Sequence, residues 1–484
     1  MDQIKPDTDY KYVFPRYDMP HQYERKVISK KTVTEAKRDV QVIREVDVVV
    51  VGGGPGGVAS AVSAARGGAD TVLLERHGHL GGMATGGLVN IIPNLGTIYG
   101  EHVIGGFCQE LIERLTVRGG ACFPEKRFWG KAEPLVVNKY LQANMGFFYV
   151  RKNQEGENVV LYTAVIDPEI AKDELNAMVL ESGAELLLHT WVVEPIMEGN
   201  TVKGVITESK SGRQALLGKV VIDCSGDGDL LPKTGTETTD VMVPGSRIAQ
   251  FGWVHWLCNV DLDKFHDFKE SQPDEYRAVV ENITSLGGRP LYFGGLLDHQ
   301  EGVVWQHRLI GSVMQTDIEE MTYIDRTTRQ SAVKSWELMK KYMPGYEKSF
   351  IMLSSPQLGT SGGRRMIGEY FLTVKDIDTN TPFDDTIAVF ADNDREEMSL
   401  KYPKTYVPYR ALVPKETEGL LVACRALSSD PDFQEYFNLI PHCMCFGQAA
   451  GSAAAIAVKE NISVRNVSYD KLRGELLKYG AILP

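Results

Sequence analysis

The sequence predicts an α/β protein whose central parallel sheet is assembled from distant segments, with a separate α+β domain between them. Three observations lead to this fold class. A buried strand, a glycine-rich turn, a helix and a second buried strand follow one another within residues 46–76. Apolar runs typical of further buried strands recur at residues 219–223 and 420–423. Between these runs, residues 241–402 are richer in aromatic residues and in charged helical patterns.

The composition excludes several classes of protein. The chain has 484 residues, of which 43% are hydrophobic and 24% charged, and its formal net charge is −12. This acidic balance argues against binding to a nucleic-acid phosphate backbone. The seven cysteines are too sparse for a disulfide scaffold and lack the spacing of a zinc or iron–sulfur site, so no metal is expected. No signal core and no run of ~20 apolar residues is visible, so we expect a cytoplasmic protein without membrane contact.

The chain is expected to divide into four segments. Residues 1–45 are charged, tyrosine-rich and aperiodic, and are interpreted as an N-terminal extension. Residues 46–240 form the first part of a nucleotide-binding domain, with inserted elements around residues 95–165. Residues 241–402 form a substrate or cap domain, and residues 403–484 return to the nucleotide-binding domain.

The first strand is the β-branched run Val48–Val51, with Asp47 marking its exposed start. A helix of small residues follows and stops at Gly67–Gly68, since glycine adopts the left-handed conformation that ends helices. Thr71–Leu74 is the second buried strand, which Glu75 closes.

Later elements repeat this alternation. A helix begins at Pro168 and leads into a strand over Ala184–His189, and Lys219–Asp223 is a further buried strand. After the mixed segment, a strand over Leu420–Ala423 precedes a buried helix near Pro441–Val458.

The strongest local signal is the glycine-rich turn after the first strand, which contains G-x-G-x-x-G at Gly52, Gly54 and Gly57. Gly52 permits a tight turn, Gly54 lets a pyrophosphate approach the backbone, and Gly57 lets the helix pack on the strand. The helix N-terminus adds N–H groups and a partial positive charge. Glu75, at the end of the next strand, can accept hydrogen bonds from ribose hydroxyls. The pattern predicts dinucleotide binding in a Rossmann-like core.

A second glycine cluster favours FAD over NAD. Residues 78–87 carry several glycines, which a simple NAD domain does not need, whereas the backbone must pass the ribityl chain and ring of a flavin. Residues 223–229 end a strand with small and acidic residues that would lie near the cofactor. No second G-x-G-x-x-G is present, so a separate nicotinamide domain is not expected.

These motifs resemble those of the FAD-dependent oxidoreductases of the glutathione-reductase-like superfamily, specifically the group with a "GGMAT" loop. The resemblance covers nearly the whole chain from residue 46 and keeps the family's order. It implies bound FAD in a glutathione-reductase-like core, a cap-like substrate domain, and redox chemistry on a small molecule. The matching stretches are VVVVGGGPGGVASAVSAARGG, LLERHGHLGGMATGGLV, VVIDCSGDGDL, GGRRMIGEYFLTVKDI, YVPYRALVP and IPHCMCFGQAAGSAAA.

The resemblance also implies which residues bind FAD. It puts the first glycine loop at the pyrophosphate, the acid and its neighbour at the adenosine, and the N-terminus of the last helix at the flavin. Cys424 and His442 depart from the residues that are usual in the family near the ring. The implied cofactor residues are Gly52, Gly54, Pro55, Gly56, Gly57, Glu75, Arg76, Gly81, Gly82, Met83, Val192, Gly226, Asp227, Cys443 and Met444.

Two histidines and two arginines are candidate catalytic residues. His442 heads the last helix and would act as a base or stabilise reduced flavin, and the alternative is a capping or packing histidine. His79 would act as a base or as a covalent tether of the flavin, and the alternative is a loop residue that faces solvent. Arg364 or Arg410 would clamp an anionic substrate or the flavin, and the alternative is an ion pair with an acid such as Glu369.

The presumed cap contains a further cluster of polar and aromatic residues. Trp305, His307 and Arg308 follow one another closely in the chain. They are interpreted either as a wall of the substrate site or as ordinary core and surface residues.

Together these features predict an FAD-dependent dehydrogenase or oxidase that transfers hydride from a small polar organic substrate to flavin N5. An alcohol or amine C–H bond is preferred as the hydride donor. Two alternatives stay open. They are a reductase of an activated double bond fed by an external donor, and a flavin electron-transfer subunit of a larger complex. Electrons are expected to pass to oxygen or to a redox partner, and a homo-oligomer is one of the assembly states left open.

Overall fold

The computed structural model describes residues 31–240, 250–285, 291–294, 297–311, 316–360, 362–395 and 397–484. Most of the expected N-terminal extension, and the start of the expected cap domain, therefore lie outside the described residues. The helices are α1 (Pro55–Arg66), α2 (Gly106–Val117), α3 (Pro134–Gln142), α4 (Gly146–Tyr149), α5 (Pro168–Ser182), α6 (Leu231–Thr234), α7 (Leu262–Ser271), α8 (Pro273–Ser285), α9 (Ile318–Tyr342), α10 (Val374–Ile377), α11 (Glu397–Lys401), α12 (Pro431–Phe437), α13 (Ile440–Glu460) and α14 (Tyr469–Lys478).

The strands belong to one large sheet, a second antiparallel sheet and several two- or three-stranded pieces. They are β1 (Gln41–Val51), β2 (Thr71–Leu74), β3 (Ile91–Ile92), β4 (Ala121–Cys122), β5 (Val150–Lys152), β6 (Asn158–Val160), β7 (Ala164–Ile166), β8 (Glu185–Leu187), β9 (Trp191–Glu198), β10 (Thr201–Ser209), β11 (Gly212–Asp223), β12 (Thr238–Thr239), β13 (Gln250–Cys258), β14 (Leu291–Gly294), β15 (Val304–Gly311), β16 (Phe350–Ser354), β17 (Gly359–Thr360), β18 (Arg365–Met366), β19 (Thr386–Ala391), β20 (Lys404–Pro408) and β21 (Leu420–Val422).

The large sheet confirms the predicted parallel core. Strands β8, β2, β1, β11 and β21 pair in parallel in that order, and β9 and β10 add an antiparallel ribbon on β11. The first half of β11 pairs with β10, and its last residues pair with β21 from almost two hundred residues later. The sheet is therefore completed only by the C-terminal part of the chain, as the distant apolar runs predict.

The sequence and the structure differ at the start of the first strand. We expected an exposed start at Asp47, but β1 begins at Gln41 because residues 41–46 pair with residues 214–218 of β11. Asp47 instead lies inside the strand, where its carboxylate pairs with Lys219 Nζ at 2.7 Å. Strand β2 has the predicted bounds, Thr71–Leu74.

Helices α1 and α13 pack backbone to backbone on one face of the large sheet. A Cβ at Gly447 would lie 2.0 Å from the carbonyl oxygen of Gly56, and one at Gly451 would lie 2.2 Å from that of Ser60. Only glycine permits this approach. The small residues of both helices are buried in one core cluster, which brings the N-termini of the two helices together.

A second sheet covers the carboxyl ends of the parallel strands. Strands β14, β15, β13 and β16 pair antiparallel in that order, and β17 pairs with β13. Helices α7, α8 and α9 lie beside this sheet. Trp305 on β15 donates its indole N–H to the carbonyl of Leu88, and Ser355 after β16 donates to that of Gly86. These two bonds tie the cap sheet to the C-terminal end of the second glycine cluster and to the residue that follows it.

Two expected segment boundaries fall inside paired elements. Strand β1 runs through the boundary at 45/46, and the hairpin of β19 and β20 spans the one at 402/403. The segment division itself stays a prediction. Within the described residues no single helix has the length and hydropathy to cross a membrane, and α12 with α13 reaches them only jointly across a 101° bend.

Candidate functional site

A cavity of about 480 Å³ opens between the parallel strands and the cap sheet. Its floor comes from the residues at the carboxyl ends of β1, β2, β11 and β21, where ligands bind in open α/β sheets. Residues of the predicted cofactor set that line it are Gly52, Gly54, Pro55, Gly56, Glu75, Arg76, Gly82, Met83, Val192, Gly226, Asp227 and Cys443. Gly57, Gly81 and Met444 do not line it.

The glycine loop forms the middle of the cavity floor. Gly52 has φ +95°, and a Cβ there would lie 2.6 Å from the carbonyl oxygen of Cys224, so the turn requires glycine. A Cβ at Gly54 would meet nothing within 4 Å, which leaves open space above the loop. Helix α1 begins at Pro55 without a side-chain cap, so its first N–H groups are available to a ligand. Gly57 lies on the side of the loop away from the cavity, where a Cβ would clash with the carbonyl oxygen of Gly52.

Glu75 holds the loop through its backbone. Its Oε2 accepts from Gly53 N at 2.6 Å and its Oε1 accepts from His77 N at 2.8 Å, and the residue is buried. The carboxylate therefore fixes both the glycine loop and the turn after β2. Its expected contact with the ribose stays a prediction.

One end of the cavity is formed by Arg76, Trp191 and Val192. The guanidinium carbon of Arg76 lies 5.6 Å from the centre of the Trp191 ring, a cation–π geometry, and Trp191 is 56% exposed. The sequence pointed to Arg76 and Val192 but not to Trp191. Because Trp191 stands at the first position of a strand, nothing in the pattern indicated that its ring would lie at the cavity rim.

A chain of close contacts leads from the glycine loop to the cap. A Cβ at Gly82 would lie 3.0 Å from Gly54 Cα, and the Cε of the adjacent Met83 would lie 2.7 Å from a Cβ at Gly359 on β17. Gly359 pairs with Gly252, where a Cβ would lie 1.9 Å from His307 Nε2. The cavity therefore continues from the glycine loop to the imidazole of His307. Gly81 supports this path from outside by donating its N–H to Gly53 O at 2.8 Å.

The ends of β11 and β21 contribute a charged pair. Arg425 Nη2 donates to Asp227 Oδ1 at 2.8 Å, and both residues line the cavity. The nearby Asp229 also lines the cavity, and burial together with the charges of Asp223 and Asp227 raises its pKa to about 6. Burial likewise raises the pKa of the Cys443 thiol to about 12, so this cysteine is a thiol at neutral pH.

His442 lies away from the cavity. Helix α13 begins two residues before it, so the ring turns inward and is fully buried, with its centre 4.1 Å from that of Phe390 and 5.6 Å from that of Phe437. Its Nδ1 accepts the N–H of Leu439 at 3.3 Å. This geometry favours the capping and packing alternative over a catalytic role.

The other three candidate catalytic residues also lie outside the cavity lining. Arg364 donates to the carbonyls of Asp227 and Gly228, both at 3.1 Å, and so braces the turn after β11 from behind. Arg410 makes a two-point pair with Asp385, with both contacts at 3.0 Å, which agrees with the ion-pair alternative although Glu369 is not its partner.

His79 packs against the second glycine cluster. Its ring stacks on His77 with centres 5.6 Å apart, and a Cβ at Gly86 would lie 2.3 Å from its Cε1. His77, and not His79, lines the cavity. A covalent bond between His79 and the flavin is therefore not favoured by this arrangement.

Trp305 and His307 line the cavity on the cap side, whereas the side chain of Arg308 lies outside the described part of the structure. Their contact with a substrate stays a prediction. They alternate along β15 and so share a face, while Gln306 between them donates to Met339 Sδ on α9. Burial lowers the pKa of His307 to about 4. With this pKa the imidazole is neutral at pH 7. Because it makes no hydrogen bond to another described residue, it is available to a ligand.

The lining fits the predicted dinucleotide. A glycine loop with open space above it and an uncapped helix N-terminus suit a pyrophosphate, and the aromatic rim suits an adenine. The continuation past Met83 to the cap gives room beyond the phosphates that a flavin needs. Among the described residues no three His, Cys, Asp or Glu side chains are grouped to bind a metal ion.

Several known proteins are similar to parts of this chain. Dihydrolipoyl dehydrogenase of Trypanosoma brucei brucei is 36% identical over 85 residues, which are 18% of this chain and 17% of that protein. Thiamine thiazole synthase of Methanococcus vannielii is 26% identical over 214 residues, 42% of this chain and 66% of the relative. The chain thus spans less than two thirds of the length of these curated relatives. A solved geranylgeranyl bacteriochlorophyll reductase-like protein of Thermoplasma acidophilum aligns at 14% identity and a TM-score of 0.44, covering 90% of this chain and 83% of its own.

A family model covers far more of the chain than any of these relatives. The model described as FAD dependent oxidoreductase matches residues 47–476, from the middle of β1 into α14. That range holds every residue of the cavity lining. The chain therefore belongs to the FAD dependent oxidoreductase family and is an enzyme that uses FAD.

Proposed function

We propose that this enzyme is a dehydrogenase or oxidase that oxidises a C–H bond next to a hydroxyl or amine of a small polar organic molecule. FAD, when bound, supplies the two-electron acceptor for this reaction. The protein must then bind the substrate at the cap end of the cavity and accept the proton of its hydroxyl or amine.

The observation that carries the proposal is the neutral imidazole of His307 on the cap wall. Burial lowers the pKa of His307 to about 4, so the imidazole is unprotonated at neutral pH and can accept a proton, although the same shift makes it a weaker base than an ordinary histidine. Its Nε2 lies against Gly252, in the part of the cavity that is farthest along the path from the glycine loop. His307 thereby takes the role that the sequence suggested for His442 or His79.

Neighbouring residues fix the position of this base. Strand β15 pairs on both sides, with β13 and β14, so His307 lies on an internal strand of the cap sheet. The hydrogen bond from Trp305 to Leu88 ties the same strand to the core. Trp305 and the apolar residues around it close this end of the cavity and so limit water beside the substrate.

Anaerobic bleaching of the purified yellow protein tests the proposal. We expect alcohols or amines to bleach the wild type, and His307→Gln to slow bleaching by about 10²- to 10⁴-fold without changing FAD affinity. His299→Gln, an exposed cap histidine outside the cavity, serves as the control and should behave as the wild type.

The pH dependence gives a second readout. Because the pKa of His307 is lowered to about 4, the rate of bleaching by substrate should fall only as the pH approaches 4, not near 6.5. Rapid bleaching by NADH or NADPH with no response to any alcohol or amine would instead favour a reductase. A His307→Gln enzyme with wild-type rates would remove His307 from the mechanism.

A further inference from the structure

Arg425 is a cation in the cavity that the predicted cofactor set leaves out. It follows β21, and its side chain is 16% exposed. Nη2 donates to Asp227 Oδ1 at 2.8 Å. In the part of the chain that the structure describes, Nη1 has no acceptor and Nε is buried without one. The protein therefore uses one of the three donor nitrogens, which leaves the guanidinium free to bind a ligand.

The guanidinium lies near Gly226, in the same cavity as the glycine loop. A Cβ at Gly226 would lie 3.2 Å from both Nη1 and Nη2 of Arg425, and Gly226 lines the cavity. On the other side, a Cβ at Gly56 in the first turn of α1 would lie 2.0 Å from the carbonyl oxygen of Ala423, two residues before Arg425. The backbone that carries Arg425 therefore passes close to the first turn of α1.

The charges near the glycine loop favour a cation beside a bound pyrophosphate. The loop GGGPGG contains no charged side chain, and a helix N-terminus contributes only about half a positive charge. A pyrophosphate diester carries one negative charge on each phosphate. The acidic residues Asp227 and Asp229 line the same cavity. A cation in the same cavity would add to the compensation that the backbone dipoles give a bound pyrophosphate.

We propose that Arg425 binds the pyrophosphate of FAD through Nη1, while Asp227 holds Nη2 and so orients the planar guanidinium. Hydrogen bonds between a guanidinium and a phosphate are strong because both groups are charged and their geometries match. Arg425 is expected to contact only the diphosphate part of the cofactor. It makes no contribution to binding of the adenosine, whose end of the cavity is formed by Arg76 and Trp191.

ADP and adenosine separate these two parts of the cofactor. We expect Arg425→Gln to raise the dissociation constants of FAD and ADP by about 10- to 100-fold in calorimetry of the apoprotein, and to leave that of adenosine unchanged. Arg425→Lys keeps the charge but loses the fork of donors, so its effect should be smaller. The control is Arg213→Gln, which removes an arginine paired with Glu208 away from the cavity and should match the wild type.

The thermal unfolding of the apoprotein distinguishes ligand binding from a structural role. Since the guanidinium is only partly satisfied without ligand, Arg425→Gln should not lower the apoprotein unfolding temperature. Unchanged ADP affinity, or equal losses for ADP and adenosine, would overturn the proposal. If Arg425→Gln does not fold, Arg425→Lys decides, because a loss confined to FAD and ADP supports the assignment and an unaltered ADP affinity refutes it.

Discussion

Trp191 shows how a single side chain can extend a binding site beyond its motif. Its ring is half exposed at the rim of the cavity and lies over the guanidinium of Arg76. Large aromatic rings in such places offer a flat apolar face to a base. The rim therefore has the two groups, a ring and a cation, that an adenine needs for stacking.

We expect Trp191→Ala to weaken FAD binding by about 5- to 100-fold, because stacking of a base on an aromatic ring contributes roughly 1–3 kcal/mol. Trp191→Phe should restore most of the affinity. Fluorescence titration of the apoprotein with FAD measures both variants. Tyr342→Ala, an exposed aromatic residue on α9, is the control. Equal affinities for Trp191→Ala and the wild type would show that the ring does not contact the adenine.

The residue scale also shows where sequence reasoning was limited. The position of His442 near the start of α13 was predicted, but the direction of its ring was not. That direction depends on the helix beginning at Ile440 and on Phe390, some fifty residues earlier, as a packing partner. Likewise the partner of Arg410 is Asp385, which no local pattern reveals. Contacts between distant residues decide such roles.

At the scale of elements, α1 and α13 pack closely against each other. The two helices approach so closely that Gly447 and Gly451 contact backbone carbonyls of α1. The sequence predicted both helices and their small residues, because runs of glycine and alanine can be recognised without knowledge of the structure. It did not show that the two helices pair with each other, since nearly four hundred residues separate them.

Gly447→Ala should destabilise the apoprotein by roughly 3 kcal/mol, because the new methyl group would lie 2.0 Å from the Gly56 carbonyl oxygen and would force the helices apart. Urea unfolding measures the loss. The matched control is Gly474→Ala in α14, where a Cβ meets nothing within 4 Å. There the higher helix propensity of alanine should stabilise by up to about 1 kcal/mol. Similar effects at both positions would contradict the close approach.

At the scale of the whole molecule, residues of both the core and the cap form the cavity. Its floor was predicted in detail because the glycine loop, β2 and Glu75 are contiguous in sequence. Its cap wall was predicted only as one alternative for Trp305 and His307, since the alternation along β15 could not show which face would point to the cofactor. The antiparallel cap sheet joins strands from residues 250 to 360, and such pairing leaves no local signature.

The hydrogen bond from the Trp305 indole to the Leu88 carbonyl should matter for the attachment of the cap. We expect Trp305→Phe to destabilise by about 1–3 kcal/mol, because it leaves a buried carbonyl without a donor. It should also make bound flavin easier to quench with iodide. Trp256→Phe on the paired strand is the control, since the Trp256 N–H has no partner among the described residues. A loss as large in Trp256→Phe would show that ring volume, not the bond, is responsible.

The joining of β1 and α1 to β21 and α13 also has a consequence for biosynthesis. Gly52 leaves the ribosome 391 residues before Cys443, yet both line the same cavity. At about 5–20 residues per second this interval lasts about 20 to 80 seconds. Throughout it the nascent chain exposes a glycine loop and an alanine-rich helix that have no partner helix to cover them. We therefore expect FAD to bind only after α13 has been synthesised, because the cavity is incomplete before that point.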